Sequence, residues 1–106
     1  MPKYLIEVRY RAEAVKGVKR EGGSSRRASA ASLIESLGGK IEAFYYAYGD
    51  IDVYCIFDMP DESRALAISM AMNQTDALSA RLTMLIAPEL VDAASKVDVP
   101  FRAPGR

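Results

Sequence analysis

Three polar side chains stand out within the stretch KIEAFYYAYGDIDVYCIFDMPD, Lys40 to Asp61: Tyr45, Asp52 and Tyr54. Two hydroxyls and a carboxylate on an otherwise apolar surface match the few convergent polar groups that orient a ligand in a small-molecule pocket. Buried there, Asp52 would also serve as a catalytic base toward a phenolic or enolisable substrate. The plainer alternative is that the tyrosines stabilise a sheet as a packed pair, with Asp52 accepting hydrogen bonds in a turn.

A second candidate is Lys16 to Arg27, KGVKREGGSSRR, with five cations and one acid around a Gly-Gly-Ser-Ser helix start. Free N–H groups there favour an anion, and Ser24, Ser25, Arg26 and Arg27 are its candidate ligands. The segment has neither Walker spacing nor a strand-then-glycine fingerprint, so it gives no nucleotide signal. A solvated loop is the competing account.

Histidine is absent. That removes histidine-ligated haem, the common zinc and non-haem iron sites, and catalysis built on a histidine base. The expectation is no metal and no cofactor. Cys55 is the single cysteine and sits mid-strand, which excludes an internal disulfide and reads as a small buried hydrophobe.

Lys plus Arg equals Asp plus Glu at 14 each, so no global field recruits nucleic acid or an acidic membrane. No apolar run approaches the ~18 residues of a membrane span. These features lead us to expect a cytoplasmic protein with neither nucleic acid nor membrane as partner. Half of the 106 residues are hydrophobic, enough for one globular core.

The elements that must position these residues follow from periodicity. Ile41 to Tyr48 and Ile51 to Asp58 are dense in aromatic and β-branched residues, and Gly49-Asp50 between them signals a hairpin with a two-residue type II′ turn, Gly49 at positive φ. In that register Tyr45 pairs with Tyr54 and Ala47 with Asp52. Ile41, Ala43, Tyr45 and Ile56 then share one face, while Glu42, Phe44, Tyr46, Val53, Cys55 and Phe57 share the other. Both faces are largely apolar. The chain's helices can cover only one, so the second face calls for a second copy of the chain.

Tyr4 to Arg11 alternates as a strand. A short helix is possible over Ala12 to Arg20 before the glycines break it, and a main helix is expected over about Ser25 to Leu37, stopped by Gly38-Gly39. Asp61 is placed to cap a helix over Ser63 to Asn73, which reads as apolar around much of its circumference. The methionines 70, 72 and 84 read as packing. Ala77 to Ala87 reads as the fourth strand and Pro88 to Lys96 as a short last helix. The order is strand, helix, strand, strand, helix, strand. It predicts an α+β, ferredoxin-like βαββαβ sandwich with a four-stranded antiparallel sheet. One domain over 1–96 and an extended tail over 97–106 are expected, the tail free or lying along a partner subunit.

At MPKYLIEVRY, Lys16-Gly17, Glu21-Gly22-Gly23, LGGKIEAFY (Leu37 to Tyr45) and GDIDVY (Gly49 to Tyr54), the chain resembles the GYD domain family, a group of small bacterial proteins. The resemblance implies the dimeric α/β-barrel fold and a homodimer or higher multiple assembled through the sheet face. At Ile51 the family pattern more often has tyrosine, so no role of that hydroxyl transfers. The short Gly-Asp-x-Asp turn is similar to one in the effector-binding domains of Lrp/AsnC regulators, which bind amino acids at subunit interfaces. Cofactor-independent monooxygenases of phenols share the fold, but fold alone carries no function. The expected function is small-molecule binding at Tyr45, Asp52 and Tyr54. Its alternatives are a cofactor-independent oxygenase or isomerase, with Asp52 as the candidate catalytic residue, and a purely structural oligomer.

Overall fold

The computed structural model describes residues 1–106. Its elements in chain order are β1 (Lys3–Tyr10), α1 (Ala12–Glu21), α2 (Gly23–Ser36), β2 (Lys40–Tyr46), β3 (Val53–Asp58), α3 (Glu62–Asn73), β4 (Leu78–Leu85) and α4 (Pro88–Ser95). The four strands form one antiparallel sheet in the order β2-β3-β1-β4, the expected α+β arrangement with the first and third strands central. Alternation along the central strands decides the layering. Tyr4, Ile6 and Val8 on β1 and Val53, Cys55 and Phe57 on β3 point to one face and are buried there with Ile34 of α2 and Ala65 and Ile68 of α3.

The helix ends are built from the expected residues. Gly38, at φ 89°, donates its N–H to Glu35 O, and Gly39 donates to Ile34 O, the paired hydrogen bonds that close a helix on a left-handed glycine. Asp61 caps α3, its carboxylate accepting from the Arg64 N–H at 2.9 Å and the Ser63 hydroxyl at 2.8 Å. These bonds hold the Asp61 carboxyl below its ordinary value, the Arg64 N–H contributing most. The basic segment is helical rather than a loop: α1 runs to Glu21, Gly22 turns the chain at φ 93°, and α2 begins at once at Gly23.

The hairpin departs from expectation in two places. Phe44, Tyr45 and Tyr46 pair with Cys55, Tyr54 and Val53 as predicted, but an irregularity between Ile41 and Ala43 shifts the register by one. The bulge sends Ile41 to the core side, opposite Phe57, and leaves Glu42 on the helix-free face, where its carboxylate lies 2.9 Å from Lys3 Nζ. The turn is not two residues. The strands stop at Tyr46 and resume at Val53, and the positive φ falls on Tyr48 at 51° rather than on Gly49.

Helix α3 is less buried than its composition suggested. Ala65, Ile68 and Ser69 face the sheet, whereas Leu66 and Met70 point outward and are exposed. Met72 packs on the core; Met84 is half exposed. Beyond β4 every residue from Ile86 to Arg106 is exposed. The radius of gyration, 17.1 Å, exceeds the ~13 Å of a compact chain of this length because this arm leaves the body.

Candidate functional site

The two main helices cover the same sheet face but lean on opposite edges. Helix α2 packs against β2 and α3 against β4, and the helices scarcely touch one another. The gap between them, over β1 and β3, is a cavity of about 380 Å³. Its floor is Ile6, Val8, Val53, Cys55 and Phe57, the inward-pointing residues of the two central strands. Small residues keep it open: Ser29 and Ala30 line it from α2 and Ala71 from α3.

Of 17 lining residues 14 are hydrophobic, and the other three are Arg26, Ser29 and Thr75. Arg26 and Leu33 line the cavity yet remain 46% and 51% exposed, so they mark its mouth. Arg26 Nη1 lies 3.4 Å from Glu21 Oε2 across the turn between α1 and α2. With both side chains about half in water, such a pair contributes little.

An aromatic cluster stands beside Arg26. The Tyr46 hydroxyl donates to the Gly23 carbonyl at 3.0 Å, tying the first residue of α2 to β2. A Cβ on Gly23 would meet that ring at 3.1 Å, so the close approach suits glycine. Tyr46 stacks on Tyr48 with centroids 5.7 Å apart and planes 3° from parallel, and meets Phe44 edge-on at 5.3 Å. Tyr10, a lining residue, lies 6.4 Å from Tyr48. Burial pushes the Tyr10 phenol up to about 12 and also raises Tyr46; the nearby Arg26 charge opposes both shifts without cancelling them. Both are hydrogen-bond donors at neutral pH. Burial likewise pushes the Cys55 thiol up to about 11, against a pull downward from Arg27, so Cys55 faces the cavity as a thiol and not as a nucleophilic thiolate.

Of the residues singled out from sequence, Tyr45, Asp52 and Tyr54 lie outside the cavity lining. Tyr45 and Tyr54 are cross-strand partners, as expected, but they sit on the helix-free face, 71% and 39% exposed, and neither lines the cavity. Asp52 is half-buried in the connection before β3. Its Oδ2 accepts the Tyr10 N–H at 2.6 Å while its own N–H donates to Val8 O at 2.9 Å. Its carboxylate therefore extends the β1–β3 ladder. Ser24, Ser25, Arg26 and Arg27 all lie in the first turns of α2, and among them Arg26 alone lines the cavity. No group of three or more His, Cys, Asp or Glu is placed to hold a metal ion.

The cavity residues Tyr10, Ala30, Phe44 and Ala71 carried no site signal in the sequence. Each reads as an ordinary strand or helix former, and only the separation of α2 from α3 gives them a common space.

A family model described as the GYD domain matches residues 4–94, from within β1 to within α4. The chain belongs to the GYD domain family. No curated protein and no solved structure matches it. The matched span of this GYD domain contains every residue that lines the cavity. The sheet and its helical layer are consistent with the dimeric α/β-barrel fold that the resemblance implied. No helix is long and apolar enough to cross a membrane.

Proposed function

We propose that this GYD domain binds a small, largely apolar molecule in the cavity between its helices and its sheet, and that it works as a homo-oligomer joined through the helix-free sheet face. One observation carries the reading: a cavity of about 380 Å³, apolar on 14 of 17 lining residues, with Arg26, Ser29 and Thr75 as its few polar groups. Ligand sites have this size and this ratio of apolar wall to placed polar groups. The second half of the reading moves Tyr45 and Tyr54 from ligand contacts to subunit contacts. An aromatic pair this exposed, beside Leu5, Ala43 and Ile56 on the same face, is a surface that a second copy would cover.

The test uses N-phenyl-1-naphthylamine, a neutral dye that fluoresces in apolar surroundings. The dye is expected to bind once per chain. Ala30→Phe and Ala71→Phe, which fill the space from α2 and α3 separately, are expected to abolish binding while far-ultraviolet circular dichroism stays unchanged. Tyr45→Ala, on the other face, is expected to leave the cavity's affinity for the dye intact. Undiminished binding in both folded, filled variants would refute the cavity as the site.

A further inference from the structure

We infer that the ligand of this cavity is a flat aromatic carboxylate, its ring lying over β1 and β3 and its anionic end meeting Arg26. The inference rests on the cavity being a ligand site and adds the chemistry of what enters it.

Charge makes the first part of the argument. Arg26 is the one charged residue on the lining; no Asp or Glu contributes to it, and Ser29 and Thr75 are neutral. Ser29 follows Arg26 by three residues and so lies on the same side of α2, one turn further in. A cationic ligand would lose its water beside a like charge, with no carboxylate on the lining to compensate and the nearby Glu21 already paired with Arg26. A neutral one would leave the guanidinium to solvent. A carboxylate gains charge-assisted hydrogen bonds from a planar group shaped to give two in parallel.

Arg26 is also available. Its contact with Glu21, at 3.4 Å and half in water, is weak enough to exchange, and a guanidinium has five N–H donors, more than one carboxylate uses. The neighbouring phenols do not neutralise it. Tyr46 donates its O–H hydrogen bond to the Gly23 carbonyl and keeps its proton, as does Tyr10.

Shape supplies the second part. Tyr10, Phe44 and Phe57 present rings to the cavity from three strands or their ends, and Ala30 and Ala71 leave a slot between the helices. Aromatic rings hold another planar ring by offset or edge-on contact.

The experiment measures displacement of bound N-phenyl-1-naphthylamine by 2-naphthoate and by 2-naphthalenemethanol, the same ring without the charge, at neutral pH and low salt. Charge-assisted hydrogen bonds predict that the carboxylate displaces the dye at a concentration on the order of tenfold lower than the alcohol. Arg26→Gln should erase that preference, and Arg26 is exposed enough for the fold to tolerate the change. Glu21→Gln should widen it by freeing the guanidinium. Equal displacement by the two compounds, or a preference that survives Arg26→Gln, would overturn the inference while leaving the cavity a ligand site. Failure of the dye itself to bind would instead remove the reading on which the inference rests.

Discussion

The Tyr10 N–H donates to the Asp52 carboxylate at 2.6 Å, a side chain standing in for a backbone acceptor one step beyond the last paired residues of β1 and β3. The bond fixes the chain where the hairpin connection rejoins the sheet, and it sets the position of Tyr10 at the cavity. Removing the carboxylate leaves a partly buried N–H without its partner. Asp52→Ala is expected to cost about 1–3 kcal/mol, and Asp52→Asn, which keeps an oxygen, to cost less. Urea unfolding checks both; an unchanged midpoint for Asp52→Ala would show that water replaces the carboxylate at no cost.

Two glycines are expected to respond in opposite directions to the same change. A Cβ on Gly39 would lie 2.3 Å from the Asp58 carbonyl oxygen, 2.9 Å from Met59 Cε and 3.0 Å from Ile34 Cγ2. The first of these is backbone and cannot swing aside, so Gly39→Ala should destabilise by about 2–3 kcal/mol. Gly17 lies within α1 with nothing within 4 Å of its built Cβ. There Gly17→Ala should stabilise by roughly 0.5–1 kcal/mol through helix propensity. Thermal unfolding of the two variants should move apart from the parent.

Alkaline pH is expected to weaken the fold. Tyr10 rises from 10.0 to about 12 and Cys55 from 9.0 to about 11, both chiefly through burial. Each folded-state value lies above its unfolded value, so each group's contribution is complete below the unfolded pKa and is lost as pH climbs through the folded one. Stability should therefore fall progressively between about pH 9 and pH 12. Urea midpoints across this range should decline less steeply in Tyr10→Phe and in Cys55→Ala. An identical slope in both variants would place the alkaline transition on other groups.

The proposed subunit interface makes its own prediction. Sedimentation is expected to give a dimer or a multiple of one, and Tyr54→Lys or Ile56→Lys, on the helix-free face, should shift the population to monomer. Monomeric parent protein would remove the assignment of Tyr45 and Tyr54 to an interface. Loss of the dimer with full retention of dye binding would show that cavity and interface are separate.

The topology was legible because the alternations along β1 and β3 are unbroken and because Gly38-Gly39 and Asp61 mark the helix ends by chemistry that has few other uses. The hairpin pairing at Tyr45 and Tyr54 was legible for the same reason. The bulge was not. Ile41 and Ala43 are both apolar, so neither register exposes a visibly wrong residue, and the choice is made by the space opposite Phe57 and by the Lys3 charge that holds Glu42. The turn was misread because Gly49-Asp50 satisfies a local rule, whereas Asp52 is drawn to β1 by hydrogen bonds from forty residues away along the chain.

The cavity lay beyond sequence reading for a different reason. A pocket made of polar side chains that converge would announce itself by residue type; Tyr45, Asp52 and Tyr54 carry that signal, yet none of them lines the cavity. A pocket made by two helices standing apart is written only in small residues such as Ala30 and Ala71, which have many other reasons to be there. The basic run makes Arg26 a candidate anion ligand, with a solvated loop as the competing account. The relation of Arg26 to an apolar space became visible once α2 was laid across the sheet.

The arm from Ile86 to Arg106 bears on how a calorimeter should see this protein. Heat capacity on unfolding scales with the surface newly wetted, and an arm already wet has little to add. A chain of 106 residues ordinarily gives about 1.4 kcal/mol/K, whereas the part from β1 through β4 alone gives about 1.1. The lower value would mark the arm as a passenger in the melting transition. The higher one would mean that Leu90, Val91, Val97, Val99 and Phe101 are shielded from water in solution, and their cover would have to come from another molecule or from a different setting of the arm on its own body.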